Sequence, residues 1–183
     1  EKHLSGKLTG NYSLPLQAKN PFPLDCSPEL DTSDPLDPEA SSFYQHLIGV
    51  MRWMVELGRV DIATEVSLLS SHLALPREGH LRLALHIMGY LKRHHNTRLV
   101  FDPTYPTIDL SLFPTFDWTG FYGDVSEVFP PDMPEPLGKY VDVRMMCDSD
   151  HAGEQRSRRS RTGFLIFCNM ALIDWVSNRQ PTI

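Results

Sequence analysis

The chain is poor in cysteine, has no surplus of positive charge and contains no long apolar run. Its three cysteines, Cys26, Cys147 and Cys168, are widely spaced and form no Cys-x-x-Cys pair. That spacing excludes the usual structural zinc site, and an odd, low count suits a reducing compartment. No stretch approaches the roughly 20 apolar residues needed to cross a bilayer as a helix, so no membrane contact is expected. The opening Glu1-Lys2-His3-Leu4-Ser5-Gly6 has no apolar signal core, and an intracellular location, cytoplasmic or nuclear, is the expectation. Lysine and arginine number 17 against 23 aspartates and glutamates, a net charge of -6. Such a balance argues against a free-standing nucleic-acid binder and leaves only local basic patches for that role. Internal repeats are absent as well.

What is present fits one domain or two small ones in 183 residues. The 15 prolines sit mostly before Pro38 and between Pro103 and Pro136, where they mark connections rather than elements. Residues 1–36 read as a Pro-rich linker. Residues 37–101 read as a three-helix module. Asp37-Pro38-Glu39 starts its first helix with a capping Asp, a proline in the first turn and an acidic residue near the positive pole. Tyr44, Leu47, Ile48, Met51, Met54 and Val55 follow at helical spacing, and Gly58 supplies the stop. Asp61 is placed to cap a second helix carrying Ile62, Val66, Leu69 and Leu73. Pro76 opens a third, with Leu81, Ala84, Leu85, Met88 and Leu91 as its stripe and Lys92-Arg93-His94-His95 at its negative end. Arg98-Leu99-Val100-Phe101 reads as a short strand. Trp53 and Trp175 are expected in the core, and the scattered histidines carry no metal-ligand spacing.

Residues 102–139 form a Pro-rich connector whose aromatics, Phe113, Phe116, Trp118, Phe121 and Tyr122, can pin part of it to a core. Beyond it, Tyr140–Cys147 alternates as a strand with Val141, Val143 and Met145 on one face. Thr162–Cys168, a turn at Asn169-Met170 and Ala171–Ser177 complete an antiparallel meander. An apolar face of such a meander is left for a covering element.

The chemistry concentrates at the end of the first strand. Asp148-Ser149-Asp150 can offer hard carboxylate oxygens to Mg²⁺, and two-metal phosphodiester hydrolysis needs several such carboxylates together. A turn-forming Asp pair is the alternative for an isolated Asp-x-Asp. His151-Ala152-Gly153 does not continue as a haloacid-dehalogenase phosphatase would, and Asp150 breaks the Asp-[Ser/Thr]-Gly of an aspartic protease. Some other metal-dependent phosphatase using both aspartates stays open. Cys147 has no paired base and reads as a buried thiol rather than a nucleophile.

A series of segments resembles the copia-type retrotransposon polyprotein, in family order. Cys147-Asp148-Ser149-Asp150-His151-Ala152-Gly153 is similar to the Ser-Asp-Ala-Asp-Trp-Ala-Gly that opens the ribonuclease H domain there. Arg158-Arg159-Ser160-Arg161-Thr162-Gly163-Phe164 is similar to Arg-Arg-Ser-Thr-Ser-Gly-Tyr. Ile173-Asp174-Trp175-Val176-Ser177-Asn178-Arg179-Gln180-Pro181-Thr182 is similar to Ile-Ser-Trp-x-Ser-Lys-Lys-Gln-Pro-Thr. Upstream, Tyr44-Gln45-His46-Leu47-Ile48-Gly49 and Arg59-Val60-Asp61-Ile62-Ala63 resemble Tyr-Arg-x-Leu-Ile-Gly and Arg-Pro-Asp-Ile-Ala, and His80 to Lys92 follows the family's His…Tyr-Leu-Lys theme. His151 in place of Trp and the long 102–139 join depart from the family pattern.

The resemblance implies an α+β fold: a module from the thumb and connection of reverse transcriptase, then residues 140–183 as a truncated, RNase H-like antiparallel sheet. It makes Asp148 the first catalytic, Mg²⁺-binding carboxylate, with Asp150 beside it as a second metal-ligand candidate. Arg156, Arg158, Arg159 and Arg161 are the candidate contacts to the phosphates of an RNA–DNA hybrid, with a solvated hairpin loop as the alternative. The remainder of the reverse transcriptase/RNase H is the other implied partner. The later carboxylates and the Tyr-x-Asp-Asp polymerase motif do not occur in the sequence, and there is no initiator Met. The expectation is therefore a polyprotein fragment inactive by itself. A co-opted, non-catalytic interaction module is the competing reading.

Overall fold

The computed structural model describes residues 18–112, 116–125, 128 and 130–181. Residues 1–17 of the expected linker, and Phe113 and Pro114 of the connector, lie outside them. Three helices, α1 (Pro38–Glu56), α2 (Ala63–Ser70) and α3 (Glu78–Arg93), precede three strands, β1 (Val143–Ser149), β2 (Arg161–Cys168) and β3 (Ala171–Arg179). The result is an α+β architecture with an antiparallel sheet in the order β1-β2-β3. Among the described residues no helix is long and apolar enough to cross a membrane.

Helix α1 begins as its sequence dictates: the Asp37 carboxylate accepts the Ala40 N–H at 2.8 Å, with Pro38 in the first turn. Gly58, at φ 106°, reverses the chain behind it, a conformation that costs a residue without Cβ nothing. Phe43, Tyr44, Leu47, Ile48 and Met51 meet Ile62, Val66 and Leu69 of the second segment and Leu81, Ala84, Leu85, Ile87 and Leu91 of the third. Trp53 does not join them. It lies about 200° round the helix from Met51, on the solvent side, and is 65% exposed.

Two helix starts differ from expectation. Asp61 sits in a 3-10 turn, Val60–Ile62, and α2 has no side-chain cap. The Asp61 carboxylate is taken instead by Arg59 in two hydrogen bonds of 2.9 and 2.8 Å and by the Tyr90 hydroxyl at 2.9 Å. A bidentate charged partner outcompetes a single backbone N–H. Helix α3 starts at Glu78 rather than Pro76 because residues 76–78 are held by residues 34–36. Leu36 N–H donates to Pro76 O and Glu78 N–H to Asp34 O, both at 3.0 Å.

Residues 18–36 thus lie along the helices rather than trail away from them. Ala18 and Glu29 are buried, and Phe22 and Leu36 pack on the helical core. We call this segment the strap.

Arg98–Phe101 is not a strand. Among the described residues nothing pairs with it, and Val100 and Phe101 are exposed; β-branched composition cannot hold an extended segment without a partner's ladder. The meander is as expected, with β1 shifted to Val143–Ser149; Cys147 on this edge strand is exposed rather than buried. A bulge between Ile166 and Phe167 sets Leu172 and Asp174 against consecutive residues and leaves Ile173 as the extra one.

Candidate functional site

Side chains alternate across a strand and paired residues share a face. The register pairs Asp148 with Gly163 and Gly163 with Ser177. Those three form one row across the sheet, on the face that also carries Leu165 and Trp175. Trp175 reaches α1 from this face, its Nε1–H donating to Val55 O at 3.2 Å. This half-buried position replaces the expected core location. Arg161, also on this face, donates from Nη1 to the Ser67 hydroxyl of α2 at 2.6 Å. Asp148 therefore stands on the helix-facing side of the sheet but on its open edge strand. It is exposed, with no side-chain hydrogen bond or ion pair among the described residues. Gly163 beside it has no side chain and Ser177 a small one. The floor from Asp148 towards a groove of about 290 Å³, lined by Arg52, Val55, Ser67, Trp175 and Ser177, is open.

Asp150 is differently placed. Its carboxylate accepts the Arg161 N–H, and its own N–H donates to Arg161 O at 3.1 Å. A Cβ on Gly153 would collide with its other carboxylate oxygen. Asp150 thus closes the base of the loop between β1 and β2, and Gly153 is the residue that lets it do so. Among the described residues no three His, Cys, Asp or Glu side chains are grouped to hold a metal ion. One free carboxylate and one engaged in loop closure do not fit a complete Mg²⁺ site.

The four candidate arginines are not brought onto one surface. Arg156 is exposed and lines a cavity of about 300 Å³ with Glu29, Asp31 and Arg77 of the strap and α3 start. Arg158 is exposed at φ 56°. Arg159 turns inward, its Nε buried without a hydrogen-bond partner among the described residues. Arg161 points to α2, and burial lowers its pKa. The loop is fastened from within. Glu154 accepts from Ser157 and from Arg179 at 3.4 Å. Burial pushes the Glu154 carboxyl up, but those two partners outweigh it and its pKa is lowered.

The strap's latch has no local sequence signature. His80 is buried; its Nδ1 accepts the Arg77 N–H at 3.1 Å and its Nε2 meets Pro28 O at 2.9 Å, which sets the Nε2–H tautomer. His72 stacks on it with ring centroids 4.1 Å apart. Burial, and then the neighbouring His80, push the His72 pKa down to about 4. Metal-ligand spacing is the pattern a scan of histidines detects, and a residue pair eight apart across a turn has no one-dimensional signature. Likewise, the Arg59–Asp61 motif proves to be a clamp on α3: burial raises the Asp61 pKa, but Arg59 and Tyr90 together bring it below the usual value.

No family model matches the sequence, and no solved structure matches it. An uncharacterised mitochondrial protein of Arabidopsis thaliana is 24% identical over 163 residues, which cover 89% of this chain and 52% of that protein. The chain spans about half the length of this relative.

Proposed function

We propose that the chain is part of a retroelement polyprotein of the copia type, running from the reverse transcriptase connection into the start of an RNase H domain. The observation that carries the reading is the placement of Asp148: a free, exposed carboxylate near the end of the first strand of an antiparallel meander, with an open floor of Gly163 and Ser177 beside it. The ordered resemblance of the segments around it supports the same parentage. In the intact domain Asp148 contributes one ligand for Mg²⁺, and the substrate is the RNA strand of an RNA–DNA hybrid. Asp150 closes the loop, and Arg156 and Arg158 are the arginines free to meet phosphate.

The residues present do not complete a metal site, so this chain alone does not turn over hybrid. Incubation with a labelled RNA–DNA hybrid and Mg²⁺ tests this. No cleavage is expected; cleavage abolished by Asp148→Asn would overturn the inactive reading. Reading the nucleotide sequence on both sides tests parentage: a Tyr-x-Asp-Asp motif upstream and an acidic helix downstream are expected, and unrelated reading frames there would refute it. The second reading, a non-catalytic interaction module, is favoured by the scattered disposition of the four arginines. It predicts that Asp148→Asn changes neither metal binding nor any association.

A further inference from the structure

The whole net charge of the chain sits in one segment. Residues 102–139 hold seven acidic residues (Asp102, Asp109, Asp117, Asp124, Glu127, Asp132, Glu135) against Lys139 alone, a balance of -6 that equals the net -6 of the full sequence. The remainder, with 16 acidic and 16 basic residues by subtraction from 23 and 17, is neutral. The segment is pinched at its base by Asn169. This residue, buried at φ 54°, donates from Nδ2 to Pro103 O at 2.8 Å and accepts the Asp142 N–H at 3.0 Å. Met170 N–H donates to Thr104 O at 3.1 Å, and the Tyr105 hydroxyl donates to Tyr140 O. A tied base displays what lies between. Trp118 gathers Phe116, Phe121 and Tyr122 about it with centroids 6.1–6.2 Å apart, yet all four rings are exposed, Phe121 by 84%.

The complement exists on the same molecule. The loop of residues 155–161 carries no acid and exposes Arg156 and Arg158, while Arg159 and Arg161 turn inward. The sheet from which this loop projects exposes Val143, Met145 and Ile173 and ends in the unpaired edge β1. We propose that the acidic, aromatic segment of one chain docks on the sheet and arginine loop of a second copy, reciprocally about a two-fold axis. Each element then meets its opposite charge, and the contact closes at two chains. Four rings bury about 600–1,000 Å² at roughly 150–250 Å² each. Taken twice, that reaches the roughly 1,200–2,000 Å² of a stable specific interface. The exposed edge is covered in the same step.

Sedimentation equilibrium of the full chain at low and high salt tests the proposal. A reversible monomer–dimer equilibrium is expected, its dissociation constant rising about tenfold or more between roughly 0.05 M and 0.5 M salt as the charges are screened. Trp118→Ser with Phe121→Ser gives monomers with unchanged helical circular dichroism. Asp124→Lys with Asp132→Lys, and separately Arg156→Glu with Arg158→Glu, each weaken self-association, and mixing the two variants restores a heterodimer. The mixing arm guards against a variant that merely fails to fold. A chain monomeric at every salt concentration, association into large species insensitive to salt, or mixed variants that stay apart would each overturn the proposal. The first of these is also the result if the segment serves a different protein.

Discussion

At the scale of single residues, the helical core depends on a few polar atoms that have found partners. The Tyr44 hydroxyl is buried and donates at 2.7 Å to Leu69 O, near the end of α2, a carbonyl that also accepts the His72 N–H at 3.0 Å. Burial raises its pKa, so it remains a donor throughout the working range. Tyr44→Phe removes one of the two hydrogen bonds to that carbonyl and should cost about 0.5–1.5 kcal/mol in urea unfolding; an unchanged midpoint would mean that water replaces the hydroxyl. His72 gives a pH signature. Its folded pKa, about 4, lies below the ordinary 6.5, so the unfolded chain binds the proton more tightly. The native state keeps its full stability from this group above pH 6.5 and loses it as pH falls from 6.5 towards 4. Glu154 and Glu29 pull the value up, while His80 and Arg179 press it down with the burial. His72→Phe should flatten the fall of the urea midpoint over that window relative to the natural chain. Parallel pH curves for the two proteins would rule the assignment out.

At the scale of elements, the strap is the least expected and most constrained piece. Asp31 lies so close to Gly79 that a Cβ there would collide with its carboxylate, while Ser33 accepts the Gly79 N–H at 2.8 Å on its hydroxyl. Burial raises the Asp31 pKa, but the Ser33 bonds and then His80 lower it overall. Gly79→Ala should loosen the strap although alanine is the better helix former. Limited proteolysis near residue 30 and a drop in melting temperature are the readouts. Asp31→Ala should remove most of the penalty in the double variant, and additive losses would contradict the steric account. This latch shows where sequence reading stops. The stripes of α1 and α3, the Asp37 cap, the Gly58 stop and the meander are written in local periodicity, and each is found, whereas α2 ends at Ser70 and leaves Ile62 and Leu73 of its expected stripe outside it. Pro76 looks like a helix start locally and is diverted by the strap, about 40 residues away, while Asp61 is taken by Arg59 two residues back together with Tyr90, 29 residues on. Asp148 and Asp150 look equivalent in sequence; only pairing with Arg161 distinguishes them. Long-range competition of this kind has no signal within a window of neighbouring residues.

At the scale of the whole molecule, the helices own a core that includes no sheet residue. β3 packs along α2, with Trp175 on Val55 O of α1 and Arg161 on Ser67 of α2, and the loop after β1 meets the strap through the Gln155 N–H on Glu29 at 3.4 Å. A sheet that packs on the helices without entering their core sets two levels of stability rather than one. Amides of α1 and α3 should exchange slowly, at the limit of global unfolding, while those of β1, an exposed edge, exchange fastest among the strands. Trp175 is the principal apolar link, and its ring fills the sheet side of the groove against Val55. Trp175→Ala should therefore speed exchange throughout β2 and β3 and leave α1 and α3 nearly unchanged. Trp175→Phe keeps a ring in place but not the N–H, and should fall between the two. Hydrogen exchange read by mass spectrometry distinguishes the outcomes. If the helical amides lose protection in step with the strands, the helices and sheet form one cooperative unit and the separate core does not stand alone.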